Sequence, residues 1–452
     1  MHLNIYHTND IHANFPFLSR VCAYLSDHRE SADFYFDSGD FMDLKSTLVQ
    51  ADQGKSALEM LRLCGMDAMA LGNNEIDLGS ENLEELEGLP LLCANITHND
   101  GTPVPGLRDH VILERCGKRF LIIGLAPYYG FGMVANKYNL FFEMGNLHTT
   151  DPVPAVTRIL EENRGKYDFS ILLSHSGHPV DRELEKRLPP VDLWLGGHSH
   201  EVITEEQYSQ SGMGQFLGRV TLDVEEQGIR ILESTQMELP GQSSERFDGQ
   251  LEKAQEKAEA ILSRELPILQ ELDFNPFQES EFLNFICDCL RAEFGGDLAL
   301  MHGGIAMGPL RRPVSRKSLL ELLPSKLNPT IYSLPGEKLL EAVRCSLEES
   351  HTHQSGRGPG FRGTVLGCLG FSSNVTVCRT PFSMQIDGRT VEPGRIYTLV
   401  TDDYLQRGTG YPSLAVPDGD AKFDKRFIRD LVQEYLMEEP VFRSAEIRRV
   451  RA

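Results

Sequence analysis

Residues 3–12 read LNIYHTNDIH. Apolar side chains alternate along the first half of this run, as on a half-buried strand, and it leads directly into Asp10-x-His12. Side chains of a strand alternate faces, so two residues spaced by one converge on the same point. A carboxylate and an imidazole meeting where a strand ends are a ligand pair for a divalent transition metal. Such a pair also arises by chance in surface loops. The next two hundred residues decide between the two readings, because they repeat the device.

DFYFDSGDF (33–41) is a buried strand ending in Gly39-Asp40, and the glycine permits the sharp turn that lets Asp40 project from the strand end. Helix-like runs at 17–29 and 55–64 flank it. MDAMALGNNEIDLG (66–79) ends a strand in Gly72-Asn73-Asn74-Glu75, a short strand ends at Asn95, and FLIIGLAP (120–127) is wholly apolar. After a helix-like stretch at 153–165, FSILLSHSGH (169–178) delivers His175, and VDLWLGGHSH (191–200) delivers His198 and His200. Strand, polar tip and helix in alternation predict an α/β domain with its site at the strand ends.

Asp10, His12, Asp40, Asn73, His175, His198 and His200 thus stand on five strand tips. Each alone reads as a loop polar group or a satisfied core histidine. Together they share one chemical type and one structural context, which predicts a metal cluster. One divalent ion does not need seven such ligands. Two ions sharing a bridging carboxylate use them all, and a pair about 4 Å apart is a device for binding a phosphoryl group and activating water.

The order D-x-H, G-D, G-N-x-E, S-H, G-H-x-H resembles the calcineurin-like metallophosphoesterases, and the opening HTNDIH is similar to their 5′-nucleotidase and UDP-sugar hydrolase family, here in a bacterial, cytoplasmic-looking form. The likeness covers residues 1 to about 235. It implies a four-layer β-sandwich flanked by helices, followed by a second α/β substrate domain. It implies one ion on Asp10, His12, Asp40 and His200 and another on Asp40, Asn73, His175 and His198, with Asp40 bridging. It also implies hydrolysis of a nucleotide or similar small organophosphate by a hydroxide held between the ions, with Asn95 orienting the phosphate. The chain departs from the family at one place. The usual G-N-H-E is here G-N-N-E, so Asn74 stands where the family has the histidine that assists the leaving oxygen. A carboxamide donates a hydrogen bond but transfers no proton in the useful pH range. His178 is a surface histidine that could substitute, and His7 reads as structural.

Residues 241–275 form a seam, expected as a linker helix between domains at 1–240 and 276–452. MELPGQSSERFDG (237–249) is turn-rich, and LEKAQEKAEAILSREL (251–266) carries the charge pairing of a solvated helix. Beyond it, IYTLVTDDYLQRGTGYPSLA (396–415) resembles the family's final substrate motif. That likeness marks Asp403, Gly410 and Tyr411 as substrate-binding, with Tyr411 offering an aromatic face or else packing in the core. The family's N-x-G-x-I-R is degraded to MHGGIAMGPL (301–310), with Met301 for asparagine and Ala306 for arginine. Arg311, Arg312, Arg357 and Arg362 lie nearby as replacements for the lost guanidinium.

A net charge of −22 disfavours a nucleic-acid polymer or an anionic membrane as partner, while leaving small anions open wherever bound cations invert the local field. No run approaches the roughly 20 apolar residues of a membrane span. Nine scattered cysteines, and no export signal before Leu3, are expected of a reduced cytoplasmic protein. The mixed nitrogen and oxygen ligands admit manganese, zinc, iron, cobalt or nickel. The oligomeric state is left open. Two other readings remain: hydrolysis of a nucleotide anhydride or cyclic diester, and a metal-retaining ligand sensor without turnover.

Overall fold

The structure is a computed structural model that describes residues 1–86, 90–131, 138–356 and 361–452. The chain divides into two compact units, Met1–Glu259 and Ala260–Ala452.

In the first unit the opening strand is His2–Thr8. It pairs parallel with Phe34–Asp37 on one side and antiparallel with Leu217–Glu225 on the other. The sheet runs on through Ala68–Ala70 to Leu91–Leu92 and is closed at its other edge by Gly228–Met237. A second six-stranded sheet holds Phe169–Ser174 and Leu193–Gly196 at its centre, in parallel, with Lys118–Leu125 beside them. Leu3, Ile5, Phe34 and Phe36 from one sheet meet Phe120, Ile171, Leu173 and Leu195 from the other, all buried, which makes a sandwich core. On the outer face of the second sheet, Leu121, Ile123 and Trp194 pack against the helices Pro152–Glu162 and His178–Glu185. Strands buried on both faces explain why these segments read as continuous apolar runs rather than alternating ones.

Leu3, Ile5 and His7 share the inward face of the opening strand. His7 is fully buried, with Nε2 2.8 Å from Ser209 Oγ and Nδ1 3.1 Å from Ser211 Oγ, so it ties the two sheets together. Burial pushes its pKa down to about 3 and keeps it neutral. Gly218, its partner in register, leaves the space: a Cβ there would stand 2.0 Å from His7 Nε2.

The helix of the seam spans Glu245–Leu262. Its first turn is not solvated, since Phe247 is fully buried and Ser19 Oγ donates to Asp248 Oδ1 at 2.6 Å. Past the helix, Ile268 and Leu272 already belong to the core of the second unit, so the connection is shorter than 241–275. That unit is built on a five-stranded sheet in which Leu298–His302 runs parallel to Ile396–Asp402, with Pro329–Pro335 antiparallel to the latter. The helix Glu281–Phe294 packs in its core and buries both Cys287 and Cys289.

Candidate metal centre

Five strands of the first unit, three from one sheet and two from the other, carry the expected ligands just past their ends. Asp10, His12, Asp40, His198 and His200 all adopt positive φ, between 49° and 71°. Non-glycine residues in this region cost of order 1 kcal/mol each, and such backbone persists only where its surroundings hold it. Here the tips are stitched to one another. Asp10 N–H donates to the Gly39 carbonyl (2.9 Å), His12 N–H to Asp40 O (3.0 Å), and Ala13 N–H to Phe41 O (2.7 Å). Glu75, buried, accepts from the backbone N–H groups of Asp40 (2.9 Å), Met42 (2.8 Å) and Gly72 (2.8 Å). Burial, then the charge of Asp40, pushes its carboxyl up to about 7. Gly72 is obligatory because a Cβ would lie 2.1 Å from Asp40 Oδ1.

On this scaffold Asp10, His12 and His200 form one group and Asp40, His175 and His198 a second, the three ligand atoms of each lying within 4.8 Å of one another. His200 Nε2 stands 3.3 Å from Asp10 Oδ1, and His175 Nε2 stands 3.4 Å from Asp40 Oδ2 and 3.7 Å from Asp10 Oδ1. His12 Nε2 lies 3.9 Å from Asp40 Oδ2. Asp40 thus borders both groups. Asn73 begins the short helix Asn73–Ile76. Among the buried side-chain atoms of the described residues that have no hydrogen-bond partner are Asp10 Oδ1, Asn73 Oδ1 and His175 Nε2. A buried polar atom without a partner needs an explanation, and at these ligand positions a bound ion supplies one. All three are donors a divalent cation would use, so the residues fit the group.

The electrostatics agree. Burial opposes charge on Asp40, yet the neighbouring imidazoles of His175 and His12 outweigh that and hold the carboxyl below its usual range. His175 is raised despite its burial by Asp40 and Asp10, whereas burial, then His175, brings His198 down to about 4. A buried pair of carboxylates ringed by imidazoles suits a cation.

Asn74 faces the cluster but is committed to it. Its backbone N–H donates to Asp40 Oδ1 (2.8 Å) and its Nδ2 to Asp40 Oδ2 (2.9 Å), so it holds the expected bridging carboxylate in place. His178 is turned away: its Nε2 accepts from Arg182 Nε (3.0 Å) and its Nδ1 lies 3.7 Å from Glu201 Oε2.

The expected substrate residues are placed differently. Asn95 is fully buried, its Nδ2 donating to the carbonyls of Ala126 and Thr150 and its Oδ1 accepting from Ala126 N–H, which makes it a clamp between loops with no capacity left for phosphate. Tyr411 is 1% exposed and its hydroxyl donates to Gly367 O at 2.9 Å, so its ring is core. Asp403 is buried, accepts from Asn328 N–H and Arg407, and is raised to about 6 by burial, then by Asp402. Gly410, at φ +78°, packs over Leu366. Arg311 pairs with Asp273, Arg312 donates to the carbonyls of Ile268 and Leu269, and Arg362 donates to Phe361 O. Arg357 lies outside the described residues. Two residues that motif reading passed over belong to the site. One is Glu75, visible only as the last letter of G-N-x-E. The other is Tyr138, whose hydroxyl is 2.5 Å from His198 Nε2 and whose surrounding sequence carries no pattern.

A sandwich of two sheets with a twin cluster of carboxylates and imidazoles at its strand ends defines a metallophosphoesterase. Residues 3–202 match the calcineurin-like phosphoesterase family and residues 263–415 the 5′-nucleotidase C-terminal domain. The chain belongs to the calcineurin-like phosphoesterases that carry this second domain, and it is a hydrolase. That family uses a dimetal centre. The chain is 25% identical to the uncharacterized metallophosphoesterase YunD of Bacillus subtilis, across 95% of this chain and 98% of that protein. It is 23% identical to the trifunctional nucleotide phosphoesterase protein YfkN of the same organism, across 76% of this chain but only 27% of that much longer one. Its fold matches the crystal structure of a 5′-nucleotidase precursor from Thermus thermophilus with a TM-score of 0.56 at 18% identity, covering 100% of this chain and 97% of that one. Among the described residues no helix is long and apolar enough to cross a membrane.

Proposed function

We propose that this chain hydrolyses nucleotides or similar small organophosphates, with Asp10, His12, Asp40, Asn73, His175, His198 and His200 holding two divalent ions. The observation that carries the reading is the pair of ligand groups, within which Asp10 Oδ1 and His175 Nε2 are buried and unpartnered, with Asn73 Oδ1 a third such atom at the start of the helix Asn73–Ile76. Manganese, zinc, iron, cobalt or nickel suits such a mixed nitrogen and oxygen set. Bound cations would neutralise phosphoryl charge and lower the cost of ionising water. The protein's own part is positional. Glu75 fixes the turn that carries Asp40, and Asn74 fixes the Asp40 carboxylate against both groups. The name of the trifunctional relative supports a nucleotide as the organic part.

The deciding experiment measures phosphate release, with added Mn²⁺, from nucleoside mono- and diphosphates, a UDP-sugar, a cyclic nucleotide and p-nitrophenyl phosphate. Metal-dependent release from at least one nucleotide is expected. Tight binding of one compound with no release from any would overturn hydrolysis in favour of a sensor.

The same reading places the protein in the cytoplasm, supported by its cysteines: all nine are free thiols, six of them buried. Alkylation under denaturing conditions, with thiols blocked at lysis, is expected to label nine sulfurs per chain. A stable disulfide in that preparation would speak for an oxidising compartment.

A further inference from the structure

A histidine that ligates a metal uses one ring nitrogen for the ion and presents the other to an oriented partner, which fixes its tautomer and ring angle. His175 shows the arrangement: Nδ1 lies 2.7 Å from the Ser38 carbonyl, while Nε2, unpartnered, faces Asp40 and Asp10. His198 needs such a partner more than His175 does. It sits at φ +71° on a tip, where its backbone is held through an N–H bond to Asp10 Oδ2 (2.9 Å), and that bond does not constrain the ring.

The ring is held from the other side by Tyr138. The phenol oxygen is 2.5 Å from His198 Nε2, and the two rings meet edge to face with centroids 5.5 Å apart at 76°. Tyr138 is itself fixed. It stacks on Phe142 at 5.7 Å, meets Tyr129 edge-on at 6.1 Å, and its carbonyl accepts from the N–H groups of Phe141 and Phe142 as it opens the short helix Asn139–Phe142. The next residue, Asn139, anchors that helix by exchanging two hydrogen bonds with the Thr149 backbone, at 2.7 and 2.9 Å. A rigid aromatic packing therefore aims one hydroxyl at one ring nitrogen.

We infer that Tyr138 is the positioning residue of the second ligand group: its hydroxyl engages Nε2 of His198 and thereby turns Nδ1 toward the ion. The inference rests on the metal reading above and adds a residue that lies in none of the phosphoesterase motifs. It assigns Tyr138 no contact with substrate and no proton transfer.

The test is metal binding by the whole chain without substrate. Apo-protein is titrated with Co²⁺ in metal buffers, and ion content and the visible d–d bands are recorded. Tyr138→Phe keeps the ring and removes the hydroxyl. One of the two ions is expected to need roughly 10- to 100-fold more free metal, with altered d–d bands, while the other loads as in the wild type. Phe142→Leu disturbs the same packing but leaves the hydroxyl, and is expected to keep the wild-type isotherm. An unchanged isotherm and spectrum in Tyr138→Phe overturns the inference, even where turnover falls, because the hydroxyl would then act on substrate. Equal weakening in both variants overturns it too, since packing alone would explain the effect. A wild type that loads two ions but releases no phosphate from any nucleotide sinks the functional reading and leaves this one standing. A Tyr138→Phe protein with normal metal binding, beside a wild type that hydrolyses nucleotides, does the reverse.

Discussion

Asp40→Asn is expected to lose bound metal and turnover together, turnover by ~10³-fold or more, because metal catalysis supplies several kcal/mol of charge stabilisation and each 1.4 kcal/mol is about tenfold in rate. Asp40 is the carboxylate that borders both groups, 3.4 Å from His175 Nε2 and 3.9 Å from His12 Nε2. Asparagine removes its charge. It also turns an N–H₂ either into the cation site or against the Asn74 amide, which now donates to the Asp40 carboxylate. Elemental analysis of the purified variant, alongside kcat/KM on the best substrate of the panel, settles the matter. A variant that keeps two ions and a near-normal rate would show that Asp40 bridges nothing.

The second large effect concerns Asn74. An alkoxide such as a ribose 5′-oxygen needs a proton as it leaves, whereas an aryl oxide or a phosphate does not, and general acid catalysis is worth on the order of 10² to 10⁴ in rate. Asn74 supplies no proton, and its amide is already occupied by Asp40. The natural enzyme is therefore expected to favour p-nitrophenyl phosphate or ADP over AMP, and Asn74→His to raise AMP turnover far more than the other two. Residue 74 is only 7% exposed and adjoins His12 at 3.3 Å, so an imidazole there lies within the site, at the cost of the amide bond to Asp40. Comparing kcat/KM for both proteins on the three compounds decides it. If the natural enzyme already hydrolyses AMP best and Asn74→His leaves that rate flat, the leaving-group explanation fails.

Much of the centre was legible because each ligand follows an apolar run. A strand of period two ends at a definable place, and a polar residue there has one direction in which to point. Asp10, Asp40, His175 and His198 could be read this way, and so could His7, one inward step before the tip. What pattern does not carry is orientation off the strand. Asn95, Asp403 and Tyr411 occupy motif positions, yet each is turned inward by bonds to Ala126, Asn328 and Gly367 that a linear motif does not encode. Glu75 escaped for a related reason: its partners are three backbone N–H groups, and backbone leaves no trace in side-chain chemistry. Tyr138 reaches His198 from sixty residues away, through a segment with neither period nor motif. The charge pairing at 251–266 marks most of the seam helix, whereas its first turn, with the buried Phe247, lies in the stretch whose polar, turn-rich composition reads as linker.

The left-handed tips have a consequence for how the enzyme lives with its metals. Asp10, His12 and Asp40 are laced together by main-chain bonds among themselves and to Gly39, and Glu75 ties down the turn beneath them, so the cage is assembled by peptide rather than by ion. Small domains whose metal ties loose loops together come apart when it leaves. Here the bonds that join the tips are main-chain ones, so substituting a ligand side chain is expected to remove metal without unravelling the tips. Where a mixed nitrogen and oxygen set suits several divalent metals, availability decides among them, and a cage laced in this way is expected to accept each without refolding.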